Sequence, residues 1–290
     1  MTTIRLVLIA LIWVVVPDVS LLHSTDKPVV YFGVIPRYNP IIMYRSYQPL
    51  MDYLTANTPY RFELKLSRNY HEAVEFLRDG TTPVASLGDV TFAEAHQSFG
   101  AIPILKPLNA SGEASYHSIL IVRDDSPIST VSELQGKSFA FGNHHSTSGK
   151  LIPFHYLEKN GITLSDLGSY SHMESHDAVA KAVLKGQVDA GAVKDVVALR
   201  YREHGLRFLA SSDPIPSVPI VVRNDTPEAL TTALKAALLA IDPDDELMQQ
   251  QLIQWDPEFA NGFTTAGRDD YQLIFDLTRN NMIGCGRGCH

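Results

Sequence analysis

One stretch concentrates the residue types that hold an anion: Phe141-Gly142-Asn143-His144-His145-Ser146-Thr147-Ser148-Gly149-Lys150-Leu151-Ile152-Pro153. Three hydroxyl residues stand between a predicted strand and a predicted helix whose apolar positions include Leu151, Ile152, Phe154 and Leu157. Free backbone N–H groups at a helix start, helped by the helix dipole, attract negative charge. Serine and threonine hydroxyls add neutral donors, which suit a site that binds an anion and later releases it. Two sharper chemistries fail on spacing. A phosphate-binding Walker loop needs Ser or Thr after its lysine, but Leu151 follows Lys150 and six residues separate Gly142 from Gly149. A G-x-S-x-G nucleophile elbow is broken by Thr147 before Ser148 and Lys150 after Gly149. Composition alone favours the plainest reading, in which Ser146 or Ser148 merely caps the helix.

Other reactive side chains are scattered. His172 and His176 are four residues apart, yet His172 is expected before its helix begins, and no nearby cysteine completes a metal set. His144 and His145 can add donors to the anion loop or simply be solvated. Asp89 can accept a proton from a protonated oxyanion, or it can form a turn. The two cysteines, Cys285 and Cys289, both fall in the last six residues, so no disulfide framework supports the fold. With His290 they resemble a c-type haem attachment motif, in which two thioethers bind the porphyrin and the histidine ligates iron. The gap between these cysteines is three residues, where two are usual. A terminal disulfide loop is the competing chemistry, with a Cys/Cys/His metal clip behind both. No nucleophile with its base and no metal set emerges, so an enzyme is not expected.

The elements that must position these residues follow an α/β grammar, in which short apolar runs alternate with helical patterns and largely parallel sheets are expected. Strands are predicted at Val29–Val34, Phe62–Leu66, Val84–Leu87, Ile102–Leu105, Ile119–Val122, Ser138–Phe141, Val188–Val193 and Pro219–Val222. Helices are predicted around Pro49–Leu54 and over His71–Arg78, Thr91–Phe99, Asp177–Lys185, Glu246–Ile253 and Asp269–Thr278. Another follows the anion loop to about Asn160, and Thr226-Pro227 reads as a cap and first position for a helix to about Ile241. Thr130-Val131-Ser132-Glu133 is a capping box. The strands Ile119–Val122 and Pro219–Val222 flank a segment of domain size, so they are the natural crossings between two lobes. One continuous doubly wound sheet is the alternative.

At the N-terminus, Arg5 precedes an apolar run from Leu6 to Val16, ended by Pro17 and Asp18. The run is too short for a bilayer core of about 30 Å but has the length of a signal-peptide core. Cleavage is expected between Val19 and Asp26, which places the mature chain in the periplasm or an equivalent space. A net charge of −8 excludes a general nucleic-acid binder, which carries a basic stripe. It also requires any anion site to be local, because the overall field repels anions.

Phe-Gly-Asn before Ser146-Thr147-Ser148-Gly149 and Leu-Ile-Pro after it resemble the phosphonate/phosphite/phosphate-binding proteins of ABC transporters. The resemblance extends through Ser115-Tyr116-His117-Ser118-Ile119-Leu120-Ile121-Val122, Ser175-His176-Asp177-Ala178 and Gly186-Gln187-Val188-Asp189-Ala190-Gly191-Ala192. It covers about Val30 to Arg223 and implies a two-lobed type II periplasmic-binding fold with the ligand in a cleft between α/β lobes. It implies ligand-binding roles for Ser146, Thr147, Ser148 and His176, with Tyr116 as a ligand-facing aromatic. The implied partners are a small oxyanion and an ABC permease, or a membrane sensor kinase if the chain is a sensory receptor. Val193-Lys194-Asp195-Val196 stands where amine-binding members place acids, which argues against amine recognition. The expected division is a signal peptide over 1–26, lobe 1 over 27–118 and 223–284, lobe 2 over 119–222, and a tail over 285–290.

Overall fold

The computed structural model describes residues 26–284. The expected leader up to residue 25, and the tail with Cys285, Cys289 and His290, lie outside the described residues. The chain begins with β1 (Val29–Val34), α1 (Pro40–Asn57), β2 (Arg61–Leu66), α2 (Tyr70–Arg78), β3 (Val84–Ser86), α3 (Asp89–Phe99) and β4 (Ile102–Pro107). After β5 (Ser115–Tyr116) it enters β6 (Ser118–Arg123), β7 (Ser138–Phe141), α4 (Ile152–Lys159), β8 (Ser169–His172), α5 (His176–Leu184), β9 (Ala190–Lys194), α6 (Asp195–Arg202) and β10 (Leu206–Ser211). It returns through β11 (Ile215–Pro216) to β12 (Ile220–Val222), α7 (Glu228–Leu239), α8 (Glu246–Leu252), β13 (Phe263–Thr265) and α9 (Gln272–Gly284).

These elements form two lobes. A six-stranded sheet in the order β13-β4-β12-β3-β1-β2 makes the first, and a five-stranded sheet in the order β10-β6-β9-β7-β8 makes the central one. Both sheets are mixed rather than largely parallel. β12 runs antiparallel to β3 and β4, and β6 runs antiparallel to β9 and β10. β6 and β12 each follow a passage between lobes, and a strand that arrives from the other lobe has no helical crossover to turn it parallel; the edge strand β13, also antiparallel to β4, lies at no passage. The passages are not the strands expected from sequence. β6 lies wholly in the central sheet and β12 wholly in the first, while the short antiparallel pair β5–β11 carries the chain across. Two-residue strands show no apolar periodicity, so the longer apolar runs beside them drew the boundary.

The central sheet shows why those runs are apolar throughout. Successive side chains of a strand face opposite sides; Ile119 and Ile121 pack in the cluster with Val179 and Val183 of α5, while Leu120 and Val122 pack with Phe139, Phe141 and Leu157. A sheet covered on both faces needs apolar residues at every position. Helix α1 is longer than expected. The Asn39 side chain accepts from the Ile42 N–H at 3.2 Å and starts it, and Pro49 lies inside the helix rather than at its beginning. Thr226 is not the cap of α7: its hydroxyl lies 3.4 Å from the Pro83 carbonyl, and Pro227 occupies the cap position.

Candidate functional site

The hydroxyl loop leaves the carboxyl end of β7 and winds directly into a five-residue π turn, Thr147–Leu151, which leads into α4. The Lys150 and Leu151 N–H groups both point to the Ser146 carbonyl, at 3.2 and 3.1 Å. The Ser146 hydroxyl accepts from the Gly149 N–H at 3.0 Å, so the capping role that composition favours is real. Gly149 is required by close approach. A Cβ there would lie 2.8 Å from Ser146 Oγ and 3.0 Å from both Gly142 Cα and the His176 ring. Ser118 donates to the Ser148 carbonyl at 2.7 Å, leaving the Ser148 hydroxyl to the cavity it lines.

That cavity is small, about 10 Å³, room for roughly one water-sized group. It collects the starts of four helices: Tyr70 at α2, Gly88 at α3, Ser146, Thr147 and Ser148 at the π turn, and His176 at α5. First-turn N–H groups have no acceptor within their own helix, and aligned peptide dipoles make each of these ends positive. Ser146, Thr147 and Ser148 are each only 3% exposed, so these donors act away from bulk water. The Tyr70 hydroxyl is buried with no hydrogen-bond partner among the described residues. It is a further donor facing the cavity.

His176 reaches the same space as a neutral donor. Its Nδ1 accepts from the Lys194 backbone N–H at 3.2 Å. A backbone N–H can only donate, so the ring proton sits on Nε2, 3.3 Å from Ser146 Oγ. Burial, then the charges of Arg37 and Lys194, push the imidazole pKa down to about 3.

Two cations complete the lining: Arg37, just after β1, and Lys194, the last residue of β9. Their counter-ions lie behind them. Arg37 pairs with Glu258 and, at 3.5 Å, with Asp256, while Lys194 pairs with the other Glu258 oxygen. Neither carboxylate lines the cavity, so a balanced cluster turns its positive side toward it. Burial opposes ionisation of Glu258, but Arg37 and Lys194 hold its carboxyl below the usual range. Burial raises Asp256 instead, against the pull of Arg37.

Tyr116, in the crossing strand β5, lines the cavity with the Lys194 ammonium 3.5 Å above its ring centre. Its hydroxyl donates to Asp89 Oδ2 at 2.7 Å. Asp89 is the first residue of α3, not a turn residue, and is fully buried. Burial pushes its carboxyl up to about 7, against the Tyr116 hydrogen bond and Lys194. It touches Tyr116 rather than lining the cavity.

Several contacts join the lobes around the cavity. The Val90 N–H of α3 donates to Thr147 Oγ1 at 3.0 Å, and the Asp177 N–H to the Arg37 carbonyl at 3.4 Å. At the rim His145 Nδ1 lies 2.7 Å from Glu94 of α3. His144 stacks on His172, ring centres 3.8 Å apart, and His172 in turn stacks on Phe141. None of His144, His145 and His172 lines the cavity. Sequence reasoning missed Arg37 and Tyr70 as lining residues, saw Lys194 only as a departure, and missed Asp256 and Glu258. A signal existed for the two cations, because ligands of α/β sheets gather at the carboxyl ends of strands.

Two α/β lobes with a small buried cavity where they meet define the two-lobed class of binding protein. A family model described as "ABC transporter, phosphonate, periplasmic substrate-binding protein" matches residues 32–271, and the chain belongs to that family. The Phosphonates-binding periplasmic protein of Escherichia coli (strain K12) is 26% identical over 210 residues, covering 68% of this chain. That match spans 61% of the Escherichia coli protein's length. Among solved structures, a binding protein component of an ABC phosphonate transporter from Pseudomonas aeruginosa superposes with a TM-score of 0.78 at 22% identity, covering 91% of each chain. PhnD1 from Prochlorococcus marinus (MIT 9301), in complex with methylphosphonate, superposes at 0.76 and 22% identity, covering 89% of this chain and 99% of that one. The fold is therefore the type II periplasmic-binding fold. Among the described residues no helix is long and apolar enough to cross a membrane.

Proposed function

We propose that this chain is an exported receptor that captures a small phosphorus oxyanion (phosphate, phosphite or a short phosphonate) and delivers it, unchanged, to an ABC permease. The observation that carries this reading is the meeting of four helix starts and two cations, Arg37 and Lys194, on one buried cavity. Such a site offers hydrogen-bond donors from several directions, which matches a tetrahedral anion with acceptors on every side. Ser146, Thr147, Ser148 and His176 are the proposed oxyanion ligands, and Tyr116 the proposed aromatic wall. At about 10 Å³ the cavity admits roughly one water-sized group, so a tetrahedral oxyanion enters only as the lining side chains and the two lobes move apart. Relatives named for phosphonate binding, and a structural neighbour holding methylphosphonate, support the chemical class.

The test is thermal unfolding of the chain without its leader in the presence of phosphate, phosphite, methylphosphonate or sulfate. A ligand that binds only the folded state stabilises it by RT ln(1 + [L]/Kd), about 2.7 kcal/mol at one hundred times Kd. A rise in melting temperature with at least one phosphorus oxyanion is the expected result. A flat response to all of them overturns the reading.

A further inference from the structure

Behind the oxyanion cavity lies a second and much larger one, about 490 Å³, at the junction of the lobes. That is within the size range of small-molecule sites, roughly 300–1,000 Å³. Part of its wall is apolar, from Leu108, Ala110, Val196, Leu199 and Ala260. Among the described residues only Tyr116 and Lys194 line both spaces, so these two residues stand at the partition between them. Tyr116 is fixed: it is buried, belongs to a crossing strand and is tied to Asp89. Lys194 is an unbranched chain laid over the Tyr116 ring and held at its tip by Glu258. It comes from the central lobe, whereas Glu258 comes from the segment after α8, so this contact holds it across the junction of the lobes.

We propose that Lys194 is the specificity-determining residue of the oxyanion site: laid against Tyr116, it closes off the hinge cavity and limits the ligand to oxyanions with no bulky substituent. This rests on the oxyanion reading above. With a shorter side chain at 194 the two spaces join, and the site admits oxyanions carrying an uncharged organic group, which then lies in the hinge cavity. The exclusion is one of volume, so a side chain of similar length without the charge maintains it.

Calorimetry with methylphosphonate and phenylphosphonate reads this directly. The wild-type chain should bind methylphosphonate at least about 10-fold more tightly than phenylphosphonate, in the range by which a filled pocket rejects added atoms. Lys194→Ala should bring the two affinities to within a few-fold by gaining phenylphosphonate, and Lys194→Met should keep the wild-type ratio. Lys194→Ala leaves Glu258 with Arg37 alone, so Lys194→Ala/Glu258→Gln, which removes equal and opposite charges, is measured beside it, with circular dichroism confirming the fold. A folded alanine variant that keeps the wild-type ratio overturns the proposal. So does Lys194→Met behaving like Lys194→Ala, or a wild-type chain that does not discriminate. A wild-type chain that binds neither phosphonate, nor phosphate, nor phosphite overturns the receptor reading itself, whatever the variants do.

Discussion

The loop Ser146–Ser148 and the cluster of Arg37, Lys194, Asp256 and Glu258 touch the same cavity by opposite designs. The loop is three consecutive residues with neutral hydroxyls, and its geometry is secured locally by Ser146 Oγ, Gly149 and the π turn. The cluster draws four charged groups from three distant stretches, and its geometry exists only when both lobes are folded and together. A neutral donor can leave a ligand without stranding a charge. A buried ion pair cannot lose one partner without doing so. Under the proposed function the loop is therefore suited to reversible contact with the ligand, and the cluster to holding the lobes and shaping the field around the cavity.

The largest expected effect lies in the cluster. Glu258→Ala strands Lys194 and leaves Arg37 with Asp256 alone at 3.5 Å. Removing one partner from a buried pair costs about 3–5 kcal/mol, to be read as a lower denaturant midpoint with an unchanged slope. A loss below about 1 kcal/mol would place the cluster with ordinary exposed pairs and break the comparison.

The loop variants come next, and they should differ from each other. Ser148→Ala removes a hydroxyl that makes no hydrogen bond among the described residues, while the Ser148 carbonyl, which Ser118 uses, is untouched. It should weaken oxyanion binding by about 1.5–3 kcal/mol, the worth of one hydrogen bond to a charged group, with stability intact. Ser146→Ala should lose similar affinity and also about 0.5–2 kcal/mol of stability, since the same oxygen caps the turn. Equal stability of the two variants would show that the capping contact contributes nothing.

The same contrast explains what could be read from the sequence. The hydroxyl loop's place on the cavity was legible because its residues are neighbours whose types and order set them apart. Tyr116 and His176, which the family resemblance implied, also reach the cavity. Asp256 and Glu258 were not legible: they lie in an unremarkable Asp-Pro-Glu after α8, and only the tertiary fold sets them behind Arg37, more than two hundred positions earlier. The strands were mostly legible where burial on both faces makes an unbroken apolar run, as in β6. β8 was not, because Ser169-Tyr170-Ser171-His172 lies at a sheet edge and is mostly exposed. The lobe passage was misplaced for a related reason, since β5 and β11 are too short to carry a pattern.

The smallest effect belongs to a third kind of contact, the rim pair His145–Glu94, which is local to neither lobe and open to water. Its side chains are 42% and 43% exposed, so its worth is that of an exposed pair, about 0.2–1 kcal/mol. Its direction is nevertheless fixed. The hydrogen bond to Glu94 raises the His145 pKa above its ordinary value, and partial burial only partly opposes this. The pair joins α3 of the first lobe to the loop of the central lobe, so if binding draws the lobes together, as the proposed function requires, the pair forms with it and the closed form holds the proton more tightly than the open one. Its contribution is therefore complete below the ordinary histidine pKa, near 6.5, and fades as the pH rises through the raised value of the closed form. Oxyanions and Asp89 titrate in the same range, so affinity against pH for the wild-type chain alone mixes several events. The ratio of wild-type to Glu94→Gln affinity for one oxyanion, measured at each pH, cancels those shared events. That ratio should be roughly 1.4- to 5-fold in favour of the wild type at pH 5.5 and fall toward unity by pH 8.5. A ratio that stays flat across this range, or grows with pH, would show that His145 and Glu94 do not latch the closed cleft.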